Sequence, residues 1–131
     1  MACKCNISSE STTIKFIRGT SVTVVFKFNV SDLSTFKGVK FAIRKNYQTD
    51  PIIEKTITSL SGDSVTVVLN LNDTGLFTDA LFQNGKNSVQ YIWGLDLIVN
   101  DNTPPQIINI FPKTGEAAPL CIIYKNVVEE E

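Results

Sequence analysis

The sequence predicts an all-β fold, a sandwich of about seven to eight short strands with one short helical segment. Three observations predict it. Apolar and polar residues alternate with period two in run after run, turn-forming residues separate those runs at fairly even spacing, and only one stretch lets the alternation lapse. The clearest run is SVTVVFKFNV (21–30), where Val22, Val24, Phe26, Phe28 and Val30 share one face and Thr23, Lys27 and Asn29 take the other.

Taken in order, residues 13–18 form a first strand, and Gly19-Thr20 connects it to the strand of 21–30 as a hairpin or a kinked edge strand. The segment 32–38 mixes turn formers with Leu33 and Phe36, which plug one end of the core. A third strand follows at 39–45, with Val39, Phe41 and Ile43 on one face. Turn residues at 46–51 lead to a fourth strand at 52–58, and Ser61-Gly62-Asp63 makes the tight turn into a fifth at 64–70. Between 71 and 87 the pattern lapses, and Asp73 or Thr74 is placed to cap one or two helical turns. The strand at 88–99 carries Val89, Tyr91, Trp93, Leu95, Leu97 and Val99 on one face, making Trp93 a central core residue. A strand at 107–111, a loop at 112–119 and a last strand at 120–128 complete the chain. Short strands with regular turns favour an antiparallel sandwich over a parallel sheet, and immunoglobulin-like topology is its commonest form. The expected organisation is a flexible N-terminal arm (1–12), one sandwich domain (13–128) and an acidic tail (129–131).

A chain of 131 residues suffices for one core without disulfide or metal staples. Its 43% apolar content and net charge of −1 lie in the globular range. Twelve Lys and Arg scattered among thirteen acids make no basic stripe, so no nucleic-acid partner is expected. No run approaches the roughly eighteen apolar residues of a spanning helix, and the polar start MACKCNISSE does not read as a signal peptide. A soluble chain with no membrane partner is the expectation. The sequence contains no histidine, which removes the usual general base, the usual activator of serine or cysteine nucleophiles and the commonest metal ligand. The acids fall mostly at turns or in the tail. No enzyme, no catalytic residue, no cofactor and no small-molecule substrate are therefore expected.

Cys3, Cys5 and Cys121 are an odd number, consistent with free thiols made in a reducing compartment. Cys3-Lys4-Cys5 is the one spacing that suggests a metal, but zinc wants four ligands and no histidine exists to supply them, so no metal is expected. Cys121 reads as a small core residue. Asp96 reads as an exposed strand carboxylate, with calcium binding beside Asp101 as the alternative. Val25, Ile92, Ile98 and Ile123 fall on the nominally outward faces of their strands and are the candidate interaction residues. A sugar platform would need two or more coplanar exposed aromatics, for which Tyr47, Tyr124 and loop phenylalanines are the candidates.

In order along the chain, IRGTSVTVVFKF (17–28), FAIRKN (41–46), SVTVVLNLNDTGLF (64–77), YIWGLDLIV (91–99) and IFPKTGEAAPLCIIYKNVVEE (110–130) resemble the amino-terminal domain of upper baseplate proteins of tailed phages. The resemblance spans residues 14–129. It implies a β-sandwich that assembles into a virion with copies of itself and with other phage structural proteins, and it carries over no catalytic residues. Members of that family often continue into a coiled coil or a receptor-binding module, whereas this sequence stops at Glu131. The expected function is thus a non-enzymatic structural component of a phage particle, in the tail, baseplate, neck, head decoration or fibre anchor. It would be made in the host bacterial cytoplasm and located in the virion. The alternative is a bacterial immunoglobulin-like module that binds carbohydrate or protein.

Overall fold

The alternating runs become nine strands among the described residues: β1 (Ala2–Lys4), β2 (Ile14–Ile17), β3 (Val22–Lys27), β4 (Gly38–Arg44), β5 (Pro51–Ile57), β6 (Ser64–Leu69), β7 (Ser88–Ile98), β8 (Ile107–Phe111) and β9 (Leu120–Tyr124). The structure is a computed structural model that describes residues 2–4, 13–28, 30–78, 81–82, 85–100, 104, 106–112 and 117–125. Short helical pieces interrupt the strands, among them a 3-10 turn at Leu33–Thr35 and the single-turn helix α1 at Leu71–Thr74. The N-cap of α1 is Asn70, not the expected Asp73 or Thr74. Asn70 and Asp73 close a reciprocal capping box, each side chain accepting from the other's backbone N–H.

The strands form two sheets. The smaller has the order β1-β3-β6; the larger runs β2-β9-β7-β4-β5, with β8 also beside β7. β3 against β6 and β4 against β7 are the pairings of an immunoglobulin-like sandwich. The sandwich is mainly antiparallel as expected, in the pairs β3–β6, β4–β5, β4–β7, β7–β8 and β7–β9, while β1 runs parallel to β3 and β2 parallel to β9. Both parallel pairings join strands that are not consecutive, and neither leaves a mark on local alternation. Gly19-Thr20 is likewise not a hairpin turn: β2 and β3 lie in different sheets, so the chain changes sheet there. Gly19 adopts φ +76°, a left-handed conformation that suits glycine.

β7 organises the large sheet. One edge pairs with β4 from Arg44↔Ile92 to Gly38↔Ile98; the other is shared, its first half pairing with β9 and its second with β8. At the gap between those two partners, the Trp93 N–H donates to the Pro119 carbonyl at 3.1 Å. The inward residues of β7 face the small sheet, and the Trp93 ring sits among Phe26 of that sheet and Phe41 and Phe111 of its own at centroid distances of 5.4, 5.9 and 5.0 Å. Contacts of this kind add about 0.5–1.5 kcal/mol each beyond area burial. Of the core expected from alternation, Val24, Phe26, Phe28, Phe41, Ile43, Val65, Val67, Leu69, Tyr91, Trp93, Leu95 and Leu97 are buried and Val22 is half-buried. Leu33 plugs the core as expected, and Phe77 and Phe82 join it from the non-alternating stretch.

Of the expected N-terminal arm, Ala2–Lys4 form β1 and the rest lies outside the described residues, as does the acidic tail. No helix among the described residues is long and apolar enough to cross a membrane.

Candidate functional site

In an antiparallel pair, residues directly opposite each other project to the same side of the sheet, so the register assigns every side chain to a face. Val89↔Ile123 and Tyr91↔Cys121 place Ile123 and Cys121 with the core residues of β7. Ile123 is fully buried and is not an outward contact residue as expected. The reason is local: LCIIY (Leu120–Tyr124) is apolar at every position, so alternation gives no phase and the partner strand must supply it. The outward residues of β9 are Leu120, Ile122 and Tyr124, all half-buried.

The other three expected residues do not form one patch. Val25 lies opposite Thr66 on the outer side of the small sheet, next to the half-exposed Val68. Ile92 and Ile98 lie on the outer side of the large sheet, six positions apart on β7, and Ile98 pairs with the exposed Ile107. Register assembles a larger group around Ile92. Ile92 faces Leu120 across the β7–β9 pair, and Lys15 and Ile17 of β2 face Ile122 and Tyr124 on the far side of β9. Ile92, Leu120, Ile122, Tyr124 and Ile17 form an apolar stripe crossing three strands of the outer face, with Ile17 44% exposed at its edge. Leu120 and Ile122 take the outward positions because pairing with Val89 and Tyr91 fixes the phase of β9.

Beside the stripe the face is different in character. Glu54↔Ala42 and Ala42↔Gly94 form a row across β5, β4 and β7, so two of its three side chains are a methyl group or nothing. The next row carries Lys40, Asp96 and Asn109. The small residues leave a depression of about 280 Å³, rimmed by Lys40, Arg44, Tyr47, Glu54, Asp96 and Asn109. Gly94 accommodates a close approach of β8: a Cβ there would stand 3.2 Å from the Phe111 carbonyl oxygen, a tight contact. The rim is held by its own bonds. Lys40 pairs with Glu54 at 3.2 Å, the Asn109 amide donates to Asp96 at 2.6 Å, and the Arg44 guanidinium donates to the Thr49 carbonyl at 2.9 Å. Asp96 is thus bonded to Asn109, while Asp101, its imagined calcium partner, lies outside the described residues.

At the end of the sandwich where β2 passes into β3, two segments of the sequence resemblance meet. The Thr74 hydroxyl donates to the Thr20 carbonyl at 2.9 Å and accepts from the Gly19 N–H at 3.0 Å. Arg18 donates to the Phe77 carbonyl at 3.0 Å and stands 5.1 Å from the centre of the Phe82 ring. The Arg-Gly-Thr and Asp-Thr-Gly-Leu-Phe pieces are therefore one structural clip. Asp73 anchors it to β5: burial raises its pKa, but hydrogen bonding and attraction from Lys55 at 2.9 Å, with the Asn70 N–H, outweigh this and hold it below the usual value.

No group of three or more potential metal ligands occurs among the described residues. Cys3 lies on β1 at the edge of the small sheet, Cys5 is outside the described residues, and Cys121 is buried in the large sheet with its pKa pushed up to about 12 by desolvation. A thiol so buried and so weakly acidic is a core group. The chain matches no protein-family model and no curated protein sequence.

Proposed function

We propose that this chain is a non-enzymatic structural component of a bacteriophage particle that acts by protein–protein assembly through the outer face of its large sheet. The observation that carries this reading is the ordered sequence resemblance to upper baseplate domains. Two features of the molecule support it. The resembling Arg-Gly-Thr and Asp-Thr-Gly-Leu-Phe segments bond to each other through Thr74, so their spacing answers to a common structural need. The apolar stripe of Ile92, Leu120, Ile122, Tyr124 and Ile17 offers a sheet face of the kind that buries well against another protein. Copies of the chain and other particle proteins are its partners in this reading, and the virion is its location.

Light scattering of the purified chain across a range of concentrations, with an Ile122→Glu variant alongside, tests the assembly. A defined oligomer that Ile122→Glu dissociates is the expected result. Antibody detection of the chain in gradient-purified particles from the producing bacterium tests the location. A chain that stays monomeric at all concentrations and is absent from particles would overturn the reading.

A further inference from the structure

We propose that the depression over Ala42 and Gly94 is a binding site for a single neutral sugar ring, with Tyr47 as its stacking platform. A pyranose presents an apolar C–H face and a rim of hydroxyls, each of which donates and accepts. Its recognition calls for a flat apolar surface bordered by planar polar groups. Both are found here. The floor carries the methyl of Ala42 and the backbone of Gly94 beside the Phe111 carbonyl, and of the aromatic residues in the lining, Tyr47, Trp93 and Phe111, Tyr47 is the exposed one at 63%.

The rim chemistry selects the ligand class. Glu54 and Asp96 supply carboxylate acceptors and Lys40 and Arg44 supply donors, so the charges around the depression balance to zero. A balanced rim gives no net attraction to a phosphate or a uronate but suits uncharged hydroxyls. The rim groups are also held in place before any ligand arrives, since Lys40 bonds Glu54 and Asn109 bonds Asp96. A carboxylate offers about four acceptor positions, so one internal partner leaves capacity for a hydroxyl. At about 280 Å³ the depression falls just below the usual range for drug-sized ligands and has room for one ring. A dissociation constant on the order of 1 mM is expected for so open a site.

The depression lies on the same outer face as the apolar stripe and shares Ile92 with it, so sugar binding is read at concentrations where light scattering shows a monomer, and its failure is scored separately from a failure to assemble. The probes are the methyl glycosides of glucose, galactose and mannose, and N-acetylglucosamine, with glucuronate as the charged control, observed by saturation-transfer NMR on the full chain. The expected result is transfer to the ring protons of at least one neutral sugar, with affinity at least tenfold weaker in Tyr47→Ala, retained in Tyr47→Phe and unchanged in Val68→Ala on the opposite sheet. Tyr47 lies in an exposed turn, so its replacement leaves the core intact. Absence of transfer to every neutral sugar would overturn the proposal. So would binding undiminished in Tyr47→Ala, or glucuronate binding more tightly than all the neutral sugars.

Discussion

Replacing Thr74 by valine removes one oxygen and almost no volume, yet that oxygen bonds both Gly19 and Thr20 where the chain changes sheet. Thr74 is fully buried, donating to the Thr20 carbonyl at 2.9 Å and accepting from the Gly19 N–H at 3.0 Å. In Thr74→Val both backbone groups lose their partner while an apolar methyl fills the space that water would need. An unsatisfied buried polar group costs about 1–3 kcal/mol. Both contacts are partly buried, which favours the lower half of that range, so the pair costs about 2–4 kcal/mol. Thr74→Ser keeps both hydrogen bonds and loses one buried methyl, about 1 kcal/mol. For a chain of 131 residues each kcal/mol moves the melting temperature by about 4 °C, so Thr74→Val should melt about 8–16 °C below wild type and well below Thr74→Ser. Urea titration with both variants checks the free energies, and amide exchange at Gly19 should rise selectively in Thr74→Val. If Thr74→Val proves as stable as Thr74→Ser, the hydroxyl does not hold the clip together.

Four further outcomes are expected. Trp93→Ala, which empties the space between Phe26, Phe41 and Phe111, should cost about 3–5 kcal/mol by chemical denaturation, and a loss under 1 kcal/mol would contradict its central placement. Cys121 should resist alkylation in the native state, as peptide-resolved mass spectrometry would read. Its folded pKa of about 12 lies above the ordinary 9.0, so the native state keeps the proton that the unfolded chain releases. Its contribution to stability is complete below pH 9 and is lost as pH rises toward 12, a decline that Cys121→Ala should lessen. Asp73 has the opposite sign: its folded pKa lies below 3.8, so its contribution is present above that value and fades as pH falls through the folded pKa. Asp73→Asn should therefore flatten the acid limb of the stability profile; an unchanged limb would mean that the Lys55 pair and capping box contribute nothing.

Alternation alone was enough to read β3, β4, β6 and β7 and the buried face of each, because in these strands apolar and polar residues take turns and only one face can leave water. It was not enough for β9, where every residue is apolar and either phase satisfies the pattern. Pairing with Val89 and Tyr91 decided that Ile123 and Cys121 point inward and Ile122 outward. Helix capping was legible as to place but not as to residue, since Asn70, Asp73 and Thr74 are all capable of it and only the backbone path selects among them. The change of sheet at Gly19-Thr20, the parallel β2–β9 pair and the meeting of Ala42 with Gly94 lie further from the sequence. Each joins residues or strands by the way two sheets close over one core, and a pattern confined to neighbours in the chain carries no record of partners fifty or a hundred residues away. Strand identity and the buried face of the well-patterned strands thus belong to the local sequence. The outer surface, where a sandwich meets other molecules, was decided by register.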